Sequence, residues 1–251
     1  MKAKTVNPVS CLIFIPTYNE RENVEPLTEA ILDQGLDCDL LFLDDDSPDG
    51  TGSVLDKLAE RHPRMTVIHR EGKAGIGSAH QAGIAWAYEH GYEWLITMDS
   101  DFAHPPEYLP KLLEAAGEGA AVVVGSRYLK RGSLPGWSAG RKMLTHLGHA
   151  VTVALLGMPY DATTAFRLYR LGDIPQETFA LVRSQGYSFF FESLFVLHVN
   201  RFPIRQIPMH LPGRTFGASK MDSREVATSV RFLIQLLGRK LLTPRRLRIR
   251  R

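Results

Sequence analysis

Asp99 and Asp101 stand two positions apart behind the apolar run Trp94–Met98. On an extended backbone, residues i and i+2 project to the same side. Two carboxylates held that way repel each other unless a cation lies between them or one stays protonated. Hard oxygen ligands with open positions suit Mg²⁺ or Mn²⁺, with a phosphate-bearing ligand completing the shell. The same spacing ahead of a helix also makes a cap, so the pair alone leaves both readings open.

Chemistry-bearing residues follow four other apolar runs in the same manner. Cys11–Ile15 leads into Pro16, Thr17, Tyr18, Asn19 and Glu20, and Leu40–Leu43 leads into Asp44-Asp45-Asp46-Ser47-Pro48-Asp49-Gly50-Thr51. Met65–His69 leads into Arg70, Glu71, Gly72 and Lys73, and Ala120–Val124 into Gly125, Ser126, Arg127 and Tyr128. Ligands of open α/β sheets bind beyond the carboxyl ends of the strands. Acids and bases at five successive ends therefore mark one composite site. A P-loop is excluded, since GxxxxGK[ST] is absent. Gly72, Gly75 and Gly77 do not form GxGxxG, which argues against a dinucleotide fingerprint. Asp45–Asp56 imitates a calcium loop, but a strand pattern precedes it and Pro48 interrupts it.

The ordered set Pro16-Thr17-Tyr18-Asn19-Glu20, Asp44–Thr51, Asp99-x-Asp101, His104-Pro105-Pro106-Glu107, Gly125-Ser126-Arg127-Tyr128 and Arg214-x-x-Gly217-x-Ser219-Lys220 resembles the family 2 glycosyltransferases of GT-A fold. Within them it is most similar to the dolichol-phosphate and bacterial polyprenyl-phosphate mannosyltransferases, over about residues 11–222. The resemblance implies that Pro16, Tyr18, Glu20, Leu43 and Asp45 hold the base and ribose of a nucleotide-sugar donor. It implies that Asp99 and Asp101 hold Mg²⁺ or Mn²⁺ and the diphosphate, with Ser100 between them on the donor. Arg127 and Arg141 would meet phosphates at the reacting centre and bind the acceptor, and Arg214 and Lys220 would close over the donor. Three departures stand out: Ala103 where the family often has Gln, Thr164-Ala165-Phe166-Arg167 where it has SGFR, and none of the C-terminal spanning helices of many relatives.

The family reaction inverts the anomeric centre. A lipid monophosphate, with its second pKa about 6, is largely dianionic at neutral pH and needs no catalytic base. The protein's task is then to hold two anions together. Arginine forks orient the acceptor, while Asp101 serves as metal ligand and electrostatic organiser. The favoured reading is mannose transfer from GDP-mannose to a polyprenyl or dolichyl phosphate. The alternatives are another donor, such as UDP-glucose or UDP-GlcNAc, another acceptor, or a nucleotide-binding subunit without catalysis.

These residues need a frame to position them. Short apolar runs alternate with helical patterns at 21–35, 53–61, 76–90 and 105–116, which predicts a mostly parallel, Rossmann-like sheet with helices on both faces. The second half is less regular, with helical patterns near 138–157 and 188–199 and a strand near 203–208. The expected organisation is a glycosyltransferase domain over 1–222, then an amphipathic helix and basic tail over 223–251. Leu144, Leu147, Val151, Ala154 and Leu155 form a stripe that suits either a core helix or one lying at a membrane interface. Val226, Val230, Leu233 and Leu237 form a second stripe.

The chain has 251 residues and a net charge of +3. Seven of its 30 basic residues lie in Arg239–Arg251, which leaves 23 against 27 acids in the body. A basic tail behind an acidic body suits an anionic lipid surface. It has no aromatic residue for stacking on bases, so nucleic acid is not expected. Cys11 and Cys38 have no ligand spacing and are expected to be buried thiols. No apolar run reaches the ~20 residues that span a bilayer, and residues 1–8 lack an apolar core of signal-peptide length. The expected setting is the cytoplasmic face of a membrane, reached by peripheral contact or through a small membrane partner subunit.

Overall fold

The computed structural model describes residues 10–212 and 223–249. Arg214 and Lys220, and the side chain of Val226, lie outside the described residues.

Seven strands form one sheet: β1 (Cys11–Thr17), β2 (Cys38–Asp44), β3 (Met65–His69), β4 (Trp94–Thr97), β5 (Val122–Ser126), β6 (Arg167–Arg170) and β7 (Ile204–Pro208). Their order across the sheet is β3-β2-β1-β4-β6-β5-β7. Every pairing is parallel except those of β6, which runs antiparallel to both β4 and β5. The sheet is therefore mixed rather than wholly parallel. β6 lies in the irregular half and was not expected as a strand.

The helices are α1 (Arg21–Leu32), α2 (Thr51–Arg61), α3 (Ile76–Glu89), α4 (Leu109–Gly117), α5 (Ala139–Leu156), α6 (Ser188–Val199) and α7 (Ser223–Leu242). Successive side chains of a strand face opposite ways, and the core divides accordingly. Leu12 and Phe14 join a cluster with Ala79, Ile84, Leu194 and Leu236, whereas Ile13 and Ile15 join one with Val24, Leu27, Leu55 and Leu112. All seven residues of β1 are buried, because helices cover both faces. Leu27 is fully buried, so its truncation to alanine should cost about 2–5 kcal/mol. α3 lies so close to β1 that a Cβ at Gly83 would sit 2.5 Å from the Phe14 ring. Cys11 and Cys38 face each other across β1 and β2 as buried free thiols.

The two long amphipathic helices differ. α5 buries only Thr152 and Leu156 and exposes Met143, Leu144, Leu147 and Leu155, so it is not a core helix. α7 packs Phe232, Leu233 and Leu236 against the body while Val230, Ile234 and Leu241 stay exposed. The segment after α7 is also docked. Asn200 Nδ2 donates to the Leu247 carbonyl at 2.8 Å, and the Ile249 N–H donates to Asn200 Oδ1 at 3.0 Å.

Candidate active site

The loops after β1 and β2 are stitched into one floor. Thr17 Oγ1 donates to Asp44 Oδ1 at 3.1 Å, the Asn19 N–H to Ser47 Oγ at 2.9 Å, and the Glu20 N–H to Thr51 Oγ1 at 2.9 Å. Asp49 accepts from the backbone and hydroxyl of Thr51, which closes the turn into α2. Glu20 is buried, with Asn23 Nδ2 donating to its Oε2 at 2.6 Å. Leu43 is a core residue, 1% exposed, that supports the floor from beneath.

Arg70, at the end of β3, grips Asp45 with its fork: Nε reaches Oδ1 at 2.5 Å and Nη2 reaches Oδ2 at 2.7 Å. Burial raises the proton affinity of Asp45, and the two arginine hydrogen bonds work against that rise. Nη1 of Arg70 donates to Ser78 Oγ at 2.9 Å. The Ser78 N–H donates to the Gln185 carbonyl at 3.0 Å, so the loop before α6 supports this corner. The approach demands glycine: a Cβ at Gly75, where φ is +95°, would lie 2.6 Å from the Gln185 carbonyl oxygen. Lys73 Nζ lies 4.6 Å from the centre of the Tyr18 ring, across the same floor. Beside it opens a cavity of about 330 Å³ lined by Asp44, Asp46, Ser47, Asp56, His69 and Arg70. Sequence reasoning placed Asp45 in the site but missed Arg70 as its partner.

Ser100 and Asp101 lie in a bend beyond β4, and Asp99 lies on the irregular link that leads into it. Phe102 follows with φ +61°, a left-handed conformation uncommon for a bulky residue. The bend is pinned twice. The Ala103 N–H donates to Asp101 Oδ1 at 3.1 Å, and the Asp99 N–H donates to Nδ1 of buried His104 at 2.9 Å. That bond makes Nδ1 the acceptor, leaving the ring proton on Nε2, 3.4 Å from Thr164 Oγ1. Burial pushes His104 down to about 4. The ring stacks on Phe166 of the loop entering β6, with centroids 5.2 Å apart. Asp101 is buried, whereas the side chain of Asp99 is 38% exposed. Among the described residues no third His, Cys, Asp or Glu joins the pair to complete a ligand set. A pair of carboxylates open on one side fits a hard divalent cation that takes its other ligands from water and phosphate.

Arg127 follows β5. Its Nε donates to Asp161 Oδ2 at 2.8 Å, and its backbone N–H donates to the same oxygen at 3.1 Å. Burial works against the guanidinium's charge, but Asp161, together with Tyr128 and Asp99, outweighs it and holds the arginine protonated. Arg127 lines a cavity of about 260 Å³ together with Tyr128, Lys130, Arg131, Lys142 and His146. Arg141 does not line that cavity; it stacks over Trp137 at 3.6 Å. Lys142 and His146, four apart on α5, are the helix residues that do, and sequence reasoning passed over both. Arg167 is fully buried and donates to Ser193 Oγ and to the carbonyls of Ala162 and Phe190, which makes it an organiser of the core behind the site.

A glycosyl transferase family 2 model matches residues 12–191. Polyprenol monophosphomannose synthase of Mycolicibacterium smegmatis is 36% identical over 225 residues, covering 88% of this chain and 85% of that protein. Undecaprenyl-phosphate mannosyltransferase of Micrococcus luteus is 36% identical over 220 residues, covering 87% of this chain and 90% of that one. The crystal structure of glucosyl-3-phosphoglycerate synthase from Mycobacterium tuberculosis, in complex with Mn²⁺, UDP and glucosyl-3-phosphoglycerate, superposes with a TM-score of 0.65 at 21% identity, over 92% of this chain and 80% of that one. A mannosyltransferase from Pyrobaculum calidifontis in complex with GDP-Man and Mn²⁺ gives a TM-score of 0.52 at 15% identity, over 94% and 71%. These two likenesses concern the fold, which is of GT-A type. By the family model and the identity to both mannosyltransferases, the chain belongs to glycosyl transferase family 2.

Proposed function

We propose that this enzyme moves mannose from GDP-mannose to the phosphate of a polyprenyl phosphate at a membrane surface. The observation that carries the reading is the pairing, at one end of the sheet, of the Asp99/Asp101 carboxylates with the cationic cavity around Arg127. The names of the two relatives at 36% identity support mannose and a polyprenyl phosphate.

In this reading Asp45, held by Arg70, and Tyr18, beside Lys73, receive the nucleoside end of the donor, with Pro16, Glu20 and Leu43 shaping the floor. Asp99 and Asp101, with Ser100, face the diphosphate, where a divalent cation, Mg²⁺ or Mn²⁺, supplies positive charge against the leaving group. Arg214 and Lys220 are assigned to the same diphosphate. Arg127 orients the acceptor phosphate, assisted by Lys142 and His146, while Arg141 serves at the rim from its stack on Trp137. An acceptor oxygen attacks the anomeric carbon and the bond to the diphosphate breaks with inversion. The nucleophile is already an anion, so no proton moves and no side chain acts as base.

Residues 1–222 form the transferase unit in this reading, and 223–251 the membrane-side extension at the cytoplasmic face. No described helix is long and apolar enough to cross a membrane. α5 exposes Met143, Leu144 and Leu147 beside Lys142, and α7 exposes Val230, Ile234 and Leu241 with Arg231, Arg245 and Arg246 nearby. Apolar side chains among cations suit the interface of an anionic bilayer. The rival occupant of these faces is a small membrane partner subunit.

The test is incubation with labelled nucleotide sugars, polyprenyl phosphate in anionic vesicles and Mn²⁺ or Mg²⁺. GDP-mannose should yield a lipid-linked mannose, and Leu144→Glu should weaken vesicle sedimentation while leaving GDP binding unchanged. No lipid-linked sugar with any donor would overturn the reading. Unaltered sedimentation of Leu144→Glu would assign α5 to a protein partner.

A further inference from the structure

Asp161 sits in the irregular stretch between α5 and β6 and is fully buried. Both of its carboxylate oxygens are occupied. Oδ2 takes the Nε–H and the backbone N–H of Arg127, and Oδ1 takes the backbone N–H and the hydroxyl of Thr163, both at 3.4 Å. Its own N–H donates to Gln206 Oε1 at 2.9 Å, and Gln206 Nε2 donates to the Pro159 carbonyl at 3.1 Å. β7 thereby tethers the loop from the far side. A carboxylate shut away from water needs a counter-charge, and Arg127 supplies it.

We propose that Asp161 is the positioning residue for Arg127, fixing the rotation of its guanidinium so that the two amino groups meet the acceptor phosphate as a preset fork. This rests on the acceptor reading given above. A bidentate fork is strong only when both N–H groups reach the phosphate together, and an arginine left to itself loses side-chain freedom on every binding event. Clamping Nε and the backbone amide to one oxygen removes that loss beforehand. The same negative charge offsets the repulsion that Lys130, Arg131 and Lys142 exert on Arg127 across the cavity they share. Asp161 touches neither donor nor acceptor and acts through Arg127 alone.

The experiment compares wild type, Asp161→Asn, Arg127→Lys and the double variant. Each is assayed by calorimetry with a water-soluble short-chain prenyl monophosphate and with GDP, alongside steady-state kinetics. Asparagine keeps the shape and an acceptor but loses the charge. Asp161→Asn should raise the prenyl phosphate Kd and the acceptor KM about tenfold, leave GDP affinity within about twofold, and add nothing in the Arg127→Lys background. Wild-type acceptor binding in Asp161→Asn, or an effect that adds in full to Arg127→Lys, overturns the proposal. If Asp161→Asn does not fold, Thr163→Val removes the hydroxyl bond to Oδ1 and leaves the backbone N–H and the charge in place. It should raise the same Kd about threefold, and a wild-type value overturns the proposal. A wild-type protein that neither binds nor mannosylates prenyl phosphate removes the acceptor reading and this role with it, whereas normal wild-type binding with an unaffected Asp161→Asn removes only the role.

Discussion

The carboxylate of Glu192, wholly buried in α6, is paired with Arg239 of α7. Its other oxygen, Oε2, accepts the N–H groups of Arg183 and Ser184 and the Ser184 hydroxyl. The next carbonyl along the chain, that of Gln185, supports Ser78, the neighbour of Arg70. A run of contacts therefore connects the C-terminal helix to the Asp45 corner. Arg239 is a structural cation, although in the sequence it opens the basic tail.

Arg239→Met should destabilise the protein by about 3–5 kcal/mol, because it strands a buried charge. Adding Glu192→Gln should recover most of that loss. Urea unfolding of the single and double variants provides the measurement, and a single variant as stable as wild type would show that the pair contributes nothing. Deleting the tail from residue 239 onward would remove this cation too, so membrane electrostatics are better probed by charge reversal at exposed Arg245 and Arg246.

Arg70→Lys keeps a positive charge and loses the fork on Asp45. GDP affinity should fall about tenfold, with acceptor binding unchanged. Calorimetry with each ligand separates the two, and an unchanged GDP affinity would remove Asp45 from the nucleoside site.

Asp101→Asn should cut turnover at least about a hundredfold while the melting temperature stays within a few degrees, since its contact with the Ala103 N–H needs only an oxygen. Chelator should abolish wild-type activity and added Mn²⁺ or Mg²⁺ should restore it. Wild-type turnover by Asp101→Asn in excess chelator would refute the metal assignment.

Stability should fall steeply in acid. Burial, with Arg167 and His104 nearby, pushes His80 down to about 3, and burial pushes His104 down to about 4. An unfolded histidine takes a proton near pH 6.5, so acid favours the unfolded chain. The stabilisation is complete above about pH 6.5 and is lost as pH falls toward these lower values, at about 1.4 kcal/mol per pH unit for each ring. His80 has an unpartnered buried Nε2 and packs among Phe14, Phe189 and Phe190. His80→Phe should therefore flatten the loss between pH 6.5 and 5 and stabilise the chain at pH 7. Urea midpoints across that range provide the check; a wild-type slope would exclude His80.

The first half of the fold was legible because its strands are continuous apolar runs, each ending in a polar cluster that had to lie at one edge. β6 was not legible: Arg167-Leu168-Tyr169-Arg170 is short and charged at both ends, and it becomes a strand because Arg167 finds neutral acceptors inside the core. Asp161 gave no signal, being a lone acid in an irregular stretch whose partner lies 34 positions away. Arg141 was assigned through the family resemblance, and one residue further around a helix turns about 100°. Lys142 and His146 therefore line the cavity, while Arg141 stacks on Trp137. The length and apolar stripe of α5 were readable, but its exposure depends on what the rest of the chain leaves uncovered.

β6 also acts as a gauge. It separates β4, whose end carries Asp99 and Asp101, from β5, whose end carries Arg127. Neighbouring strands lie about 4.8 Å apart, so the two strand ends stand about 10 Å from each other across β6. On the proposed reading, that span would take one sugar ring with a phosphate on either side. With β4 and β5 adjacent the gap would be half as wide, and the proposed donor and acceptor anions would be forced against each other. On the proposed reading, a strand that carries none of the reacting groups would thus set how far apart the two negative ligands are kept before they meet at the sugar.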